Sequence, residues 1–598
     1  MPGFLLTIGA EKFINKTDND ENLVVETIEN KNFVVQRRTI RKFLEDKLFV
    51  DTDKYLIVIE GVVFNRTDLI KQYATDGTFV DCVVNMYHKK GDPFFNLFRG
   101  SFSGVFYDKD KDKWLIYTGH IGDKQVFCSK LLGMYVFASE IGYIIELMKE
   151  CGEKISFDET GIYLALTYGC VIENYTLIKG IEKLSPGHYY EISSNGMREV
   201  EYHRFNNIPV EMTLEDAIEG VDKLFRQAVR REFDKDIEYG YKHIVTLSGG
   251  LDSRMTSWVA HEMGYKKQLN ITFAESNSCD FTTAQQIAKD LKHDFIFKFL
   301  DNGNCIYDID DVSKITYGTS LFFSLSHGKS LYDNINHVPY GIFHTGQIGD
   351  SILGTFFTSM EYNENYYLGQ SAISTELIDR MENFKFNQNY KNFEIYSLYI
   401  RGFQRALQGN LSIQEYSEVG SPFCDVDFLE FAYSIPLVLR YNHKIYFDWV
   451  LKKYPEAANY LWNGRKKIEH INNNPISVSG VSKGGKILRY RSQIGRIIRY
   501  VKERCVVAKE LGKKTESSTM IVNNGMNPVD YWYCTNNELR EFICSYYSEN
   551  IDLLKSPGMG ISKKLITDME YLYSREPLLD KLLVLSVLSA IRLSLVNN

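Results

Sequence analysis

The chain has 598 residues, too many for one hydrophobic core, because single cores stop growing at about 250 to 300 residues and longer chains divide. With 44% hydrophobic and 24% charged residues it buries enough apolar surface to offset chain entropy, which excludes extensive disorder. A net charge of −8 excludes a global basic field for nucleic acid.

The opening stretch MPGFLLTIGAEKF is apolar only briefly, without a basic leader region or a small-residue cleavage site, and no stretch reaches about 18 uninterrupted apolar residues. The expectation is a cytoplasmic protein without membrane contact. Ten cysteines are scattered without a C-x-x-C pair or histidines at zinc spacing, as expected of reduced thiols packed as small hydrophobes.

Residues 1–205 carry short alternating or β-branched runs, NLVVETI, YLIVIEGVVF, SGVFYD, WLIYTG and MYVFAS, between Gly, Asn and Asp turns, which predicts a sheet-rich domain. From Thr213 to Phe233, Ala217, Val221, Leu224, Phe225, Ala228 and Val229 share one helical face, with Thr213 as N-cap. Downstream, HIVTLSGG and QLNITFA read as strands followed by helical patterns such as TTAQQIAKDLKH, so 210–475 is expected to be α/β with a parallel sheet. Beyond residue 400 helical stripes dominate, and 476–598 reads as a helical extension. Within it, Lys483 to Arg504 holds eight Lys or Arg against one Glu, and LLVLSVLSAIRLSLV, broken by serines and Arg592, reads as a packed terminal helix. The basic run fits a solvated face, a lid over an anion, or a membrane or nucleic-acid contact, and it assigns no function.

The chemistry concentrates in HIVTLSGGLDSR, His243 to Arg254. Val245, Thr246 and Leu247 end a buried parallel strand, where ligands of open α/β sheets sit. Ser248, Gly249 and Gly250 then turn the chain with backbone N–H groups free to approach a phosphate, ahead of a helix whose N-terminus faces the same anion. The Ser248 and Ser253 hydroxyls can donate to phosphate oxygens. Asp252 would repel a phosphate unless Mg²⁺ lies between them, so the stretch predicts ATP with Mg²⁺. It is not a Walker loop, which needs Gly-Lys-Ser or Gly-Lys-Thr. A second strand end, FHTGQIGDSILG, again runs into a Gly turn and an acid, Asp350, as a further metal ligand.

These stretches resemble a known family. SGGLDS is the pyrophosphate loop of the ATP pyrophosphatases, and TGQIGDSILG looks like the SGEGSDE motif of asparagine synthetases. EVGSPFCDVDFLEFAYSIP is similar to that family's E-x-R-x-P-F-L-D, and LWNGRKKIEH to its R-x-K segment, with Lys467 in place of the charge-neutralising lysine and Lys466 a rival. LFRGSFSGVFYDKDKDKWLIYTGHIGDKQVFC and YVFASEIGYIIE resemble the amidotransferase domain of the same family. The resemblance implies an α/β protein: an N-terminal Ntn-hydrolase-like β-rich sandwich, then a parallel-sheet ATP-pyrophosphatase (adenine nucleotide α-hydrolase-like) domain with a helical C-terminal part. It also implies backbone contacts from Leu247, Phe273 and Gly346 to adenosine.

Four departures matter. Pro2 stands where the family carries its glutaminase cysteine and offers no thiol, so the first domain is expected to be catalytically dead. Gln347 replaces a glutamate and cannot act as a base, Arg254 replaces a serine, and Gly420 replaces an arginine. Members of the superfamily that lost the cysteine, the β-lactam synthetases and lasso-peptide cyclases, use a substrate amine. The expectation is therefore an AMP-forming ligase that activates the carboxylate of a small molecule or peptide and joins it to a substrate amine or free ammonia. Asparagine synthesis from aspartate and a non-catalytic ATP-binding scaffold are the alternatives, and a homodimer is compatible with either.

Overall fold

A computed structural model of the chain describes residues 2–9, 23–462, 467–468, 525–556 and 560–595. The basic run and Lys466 lie outside these residues.

The first two hundred residues build two antiparallel six-stranded sheets. One places the strand Gly3–Ile8 between Met134–Ala138 and Phe33–Ile40, in register Leu5↔Ala138 and Leu5↔Gln36. The other is centred on Gly100–Asp108, between Tyr55–Val63 and Lys113–Thr118. Period-2 alternation decides how they stack: Phe4, Leu6 and Val35 interleave with Val58, Val105 and Ile116 from the other sheet. Leu5, between two inward residues, points outward against the helices Ile141–Glu150 and Glu159–Tyr168. Helices Arg66–Tyr73 and Phe79–Lys90 cover the opposite face, completing a helix–sheet–sheet–helix sandwich.

A 25-residue helix, Leu214–Glu238, opens the second part; it runs past the Phe233 reached by the periodicity, and Thr213, the anticipated N-cap, forms a full capping box with Asp216. It covers a five-stranded parallel sheet ordered Asp294–Phe299, Gln268–Ala274, Lys242–Thr246, Tyr340–His344, Val419–Gly420. Chain order runs outward in one direction from Lys242–Thr246 and then resumes on its other flank, at Tyr340–His344. The crevice outside the carboxyl ends of those two neighbours is where such sheets bind ligands.

Three late helices, Asn537–Leu554, Lys563–Ser574 and Leu578–Leu595, pack onto this unit. Leu578–Leu595 is buried along almost its whole length against Ile309–Thr316 and Glu159–Tyr168, and its core is continuous with that of the parallel-sheet part. Arg592 pairs with Asp310, which also accepts from Ser589 and Tyr546. No described helix is long and apolar enough to cross a membrane.

Buried charge joins the two parts. Glu418, at the foot of the last parallel strand, pairs with Lys47 at 2.9 Å and Lys124 at 2.8 Å, both from the sandwich and all three nearly inaccessible. Nearby, Arg99 and Arg231 both grip Asp427.

Candidate functional site

Strand Lys242–Thr246 ends in Leu247, and the Ser248–Gly250 turn leads directly into helix Leu251–Glu262, with Gly250 as N-cap. The turn is held by its own hydroxyls. Ser248 N–H donates to Ser253 Oγ at 2.9 Å, Gly250 N–H donates to Ser248 Oγ at 3.2 Å, and the two hydroxyls lie 2.9 Å apart.

On the neighbouring strand, Thr345 N–H donates to Gly420 O, after which Gly346 passes against the first motif. A Cβ on Gly346 would lie 2.3 Å from Ser253 N and 2.4 Å from Asp252 C, so the two loops touch backbone to backbone. Ile348 sits at φ +62°, a left-handed conformation that a β-branched residue adopts only when its surroundings hold it there. It caps the single turn Gly349–Leu353, which presents Asp350.

The result is an open cleft of about 450 Å³ at the switch point. Leu247, Ser248, Gly250, Asp252 and Ser253 line it from the first motif. Gly346, Gln347 and Asp350 line it from the second, and Phe273 from the adjacent strand. Two anticipated residues do not line it. Lys467 is half-buried off the cleft wall, and Gly249 is withdrawn because its N–H, expected to face an anion, donates to Asp280 Oδ1 at 3.0 Å. A carboxylate of the protein thus already takes one backbone N–H of the turn.

The two acids are coupled. Asp350 N–H donates to Asp252 Oδ2 at 2.9 Å, and the buried Tyr446 hydroxyl donates to Asp252 Oδ1 at 2.7 Å. Burial, and then the Asp350 charge, push the Asp252 carboxyl up to about 8 despite these donors. Two carboxylates so placed could hold a divalent cation, which would remove their repulsion.

Several contributors carry no local signal in the sequence. Arg254 is completely buried and donates to Gly249 O, Ala457 O and Leu461 O at 2.7–3.1 Å, tying the turn to the segment that delivers Trp462 to the cleft wall. Burial lowers its guanidinium to about 10. Arg401 is the one cationic side chain on the wall among the described residues. Met526, far along the chain, closes another side, and its carbonyl accepts from Glu275 N–H.

The architecture defines a class: an amidotransferase-type antiparallel sandwich joined to a parallel α/β sheet with an acid-bearing turn at its switch point. Residues 45–203 match the glutamine amidotransferase domain family. The chain is 28% identical over 267 residues to asparagine synthetase [glutamine-hydrolyzing] 2 of Bacillus subtilis (strain 168), covering 41% of this chain and 34% of that protein. It is 23% identical over 469 residues to a probable asparagine synthetase [glutamine-hydrolyzing] of Schizosaccharomyces pombe, covering 70% and 67%. Asparagine synthetase B [glutamine-hydrolyzing] of Escherichia coli (strain K12) is 22% identical over 46% of this chain and 49% of its own length. The chain is thus similar to asparagine synthetases, and the matched stretches span 34%, 67% and 49% of those three relatives' lengths.

Proposed function

We propose that the chain is an ATP-dependent carbon–nitrogen ligase that activates a carboxylate as an acyl-adenylate. The observation that carries this reading is the meeting of Asp252 and Asp350, from turns after two neighbouring parallel strands, in one cleft large enough for a nucleotide. Paired carboxylates are costly to keep together without a cation between them.

In this reading backbone groups of Leu247, Phe273 and Gly346 hold the adenosine, and the Ser248–Ser253 turn receives the phosphates, with Asp280 giving up the Gly249 N–H. Asp252 and Asp350 would hold Mg²⁺, which supplies neutralisation of the phosphate charge. A substrate carboxylate oxygen bonds to the α-phosphorus while the α–β bridging bond breaks, releasing pyrophosphate. An amine nitrogen then bonds to the acyl carbon, the bond from that carbon to the phosphate oxygen breaks, AMP leaves, and the nitrogen loses its proton to solvent. Arg401 on the wall and Lys467 nearby are the cations proposed to offset charge that develops in both steps. Gln347 orients groups by hydrogen bonding and moves no proton. Pro2 carries no thiol, so the nitrogen comes from an amine or ammonia rather than from glutamine hydrolysis in the sandwich.

The test is ATP–pyrophosphate exchange with Mg²⁺ and a panel of carboxylates beginning with aspartate, beside Asp252→Ala. Exchange that depends on one carboxylate and disappears in the variant supports the ligase. Exchange with none of them while calorimetry still shows ATP binding supports the ATP-binding scaffold, which Gln347 favours, and no heat of ATP binding overturns both readings.

A further inference from the structure

The parallel sheet ends on the strand Asp294–Phe299, whose outer edge pairs with no other strand among the described residues. Its pairing with Gln268–Ala274 runs without a bulge from Leu269↔Asp294 to Ala274↔Phe299, and the strand holds no proline. The edge is therefore a straight row of N–H and C=O groups, without the bulge or proline that often blunts such rows.

The two faces of this strand differ. Phe295, Phe297 and Phe299 point to one face, where Phe281 of the helix Cys279–Leu291 lies beside them, its ring stacked on Phe297 at 4.0 Å. Phe297 and Phe299 meet edge to face at 4.7 Å, and Phe299 is still 57% exposed. An aromatic stack left open at a sheet rim is the kind of apolar patch that marks a protein contact. Asp294, Ile296 and Lys298 point to the other face; the first two are exposed, the third is half-buried, and neither charged side chain forms an ion pair with a described residue.

This edge is its own complement. When two identical strands pair antiparallel about a two-fold axis, opposed residues lie on the same face, so only registers that join positions of equal parity are allowed. The register centred on Ile296 sets Asp294 opposite Lys298 twice, Phe295 opposite Phe297 twice, and Ile296 opposite itself. The next allowed register on either side sets Asp294 or Lys298 opposite Ile296 instead. Opposite charges and aromatic pairs facing one another both stabilise antiparallel strands. We infer that Asp294–Phe299 is a dimer interface: two copies of the chain join edge to edge, antiparallel about Ile296, so that their five-stranded sheets become one continuous sheet. The occupant is a second copy because the order of charges and rings matches this edge itself. None of these residues lines the cleft, so the inference does not rest on the ligase reading.

The test is sedimentation velocity of the full chain over about 0.1–100 µM, a range that spans the affinity of a short edge contact. A reversible dimer is expected within it. Asp294→Lys and Lys298→Asp each set two like-charged pairs across the axis and should weaken the dimer by at least about tenfold. The two changes together restore opposite pairs and should return the affinity to within about threefold of the unchanged chain. Melting curves check that each variant is folded. Ile296→Cys faces itself across the axis at a spacing a disulfide can bridge, so copper-phenanthroline in air should join two copies by a bond that reductant releases. The unchanged chain, with Cys534 and Cys544 exposed, is the control. A chain that stays monomeric throughout, or a dimer whose affinity the reversals leave unchanged, would overturn the interface. A dimer weakened by each reversal but not restored by their combination, or one in which Ile296→Cys forms no disulfide, would overturn the register about Ile296.

Discussion

Glu418→Gln offers the sharpest physical test of how the two halves of the molecule hold together. Burial alone would push the Glu418 carboxyl up, but Lys124 and then Lys47 outweigh it and hold it at about 2, against an ordinary 4.5. That gap corresponds to about 3 kcal/mol of stability at neutral pH. A carboxyl depressed on folding contributes fully above its unfolded pKa, so the contribution is present above about pH 4.5 and drains away as pH falls towards 2. Substitution by the neutral amide leaves Lys47 and Lys124 buried without their shared anion, so the expected cost at pH 7 is about 3–5 kcal/mol. The double variant Lys47→Met with Glu418→Gln removes one orphaned lysine but also takes the cation from buried Glu60, paired with Lys47 at 3.4 Å, so it should not restore the loss. The assay is urea unfolding at pH 7 and pH 4, followed separately by tryptophan fluorescence and by amide exchange in the strands Tyr340–His344 and Tyr55–Val63. A loss below about 1 kcal/mol at pH 7, or one that does not shrink at pH 4, would refute the reasoning.

Gly346→Ala places a methyl group 2.3 Å from Ser253 N, so nucleotide binding by calorimetry should fall at least about tenfold while the far-ultraviolet spectrum is kept; unchanged affinity would mean that the two loops separate easily. Arg254→Met strips three carbonyls of one shared donor, and the melting temperature should drop by several degrees, with faster amide exchange concentrated in 457–462; a uniform change along the chain would contradict a local clamp.

What the sequence made legible is what neighbouring residues decide. The Leu214–Glu238 helix follows from spacing along a single turn pattern and emerged with its Thr213 cap, and the Ser-Gly-Gly turn follows from steric freedom at the end of a β-branched run, although its helix starts at Leu251 with Gly250 as cap rather than at about Asp252. Asp252 and Asp350 were legible for the same reason, each an acid just past a strand-end turn. Contacts made across the fold were not. Tyr446 reaches Asp252 from 194 positions away, and Met526 reaches the cleft from beyond the parallel sheet. Arg254, noted as a departure, became intelligible only when three distant carbonyls converged on it. Asp280 could not be suspected of capping Gly249 until two separate βα turns stood side by side. Glu418, lying inside a recognisable motif, gave no hint that its partners are lysines of the other half.

The indole of Trp532 donates to Glu275 Oε2 at 2.7 Å, at the end of the strand that carries Phe273, and the helix Leu578–Leu595 fills the same interior. Trimming the chain to its recognisable motifs would therefore not isolate a smaller working unit. It would expose one of the most apolar surfaces of the protein and leave a buried carboxylate without its donor, so inheritance of the motifs and of the tail is tied together. Any descendant that lost the stretch from Met526 onward would need to rebuild one side of the cleft before selection could act on its chemistry.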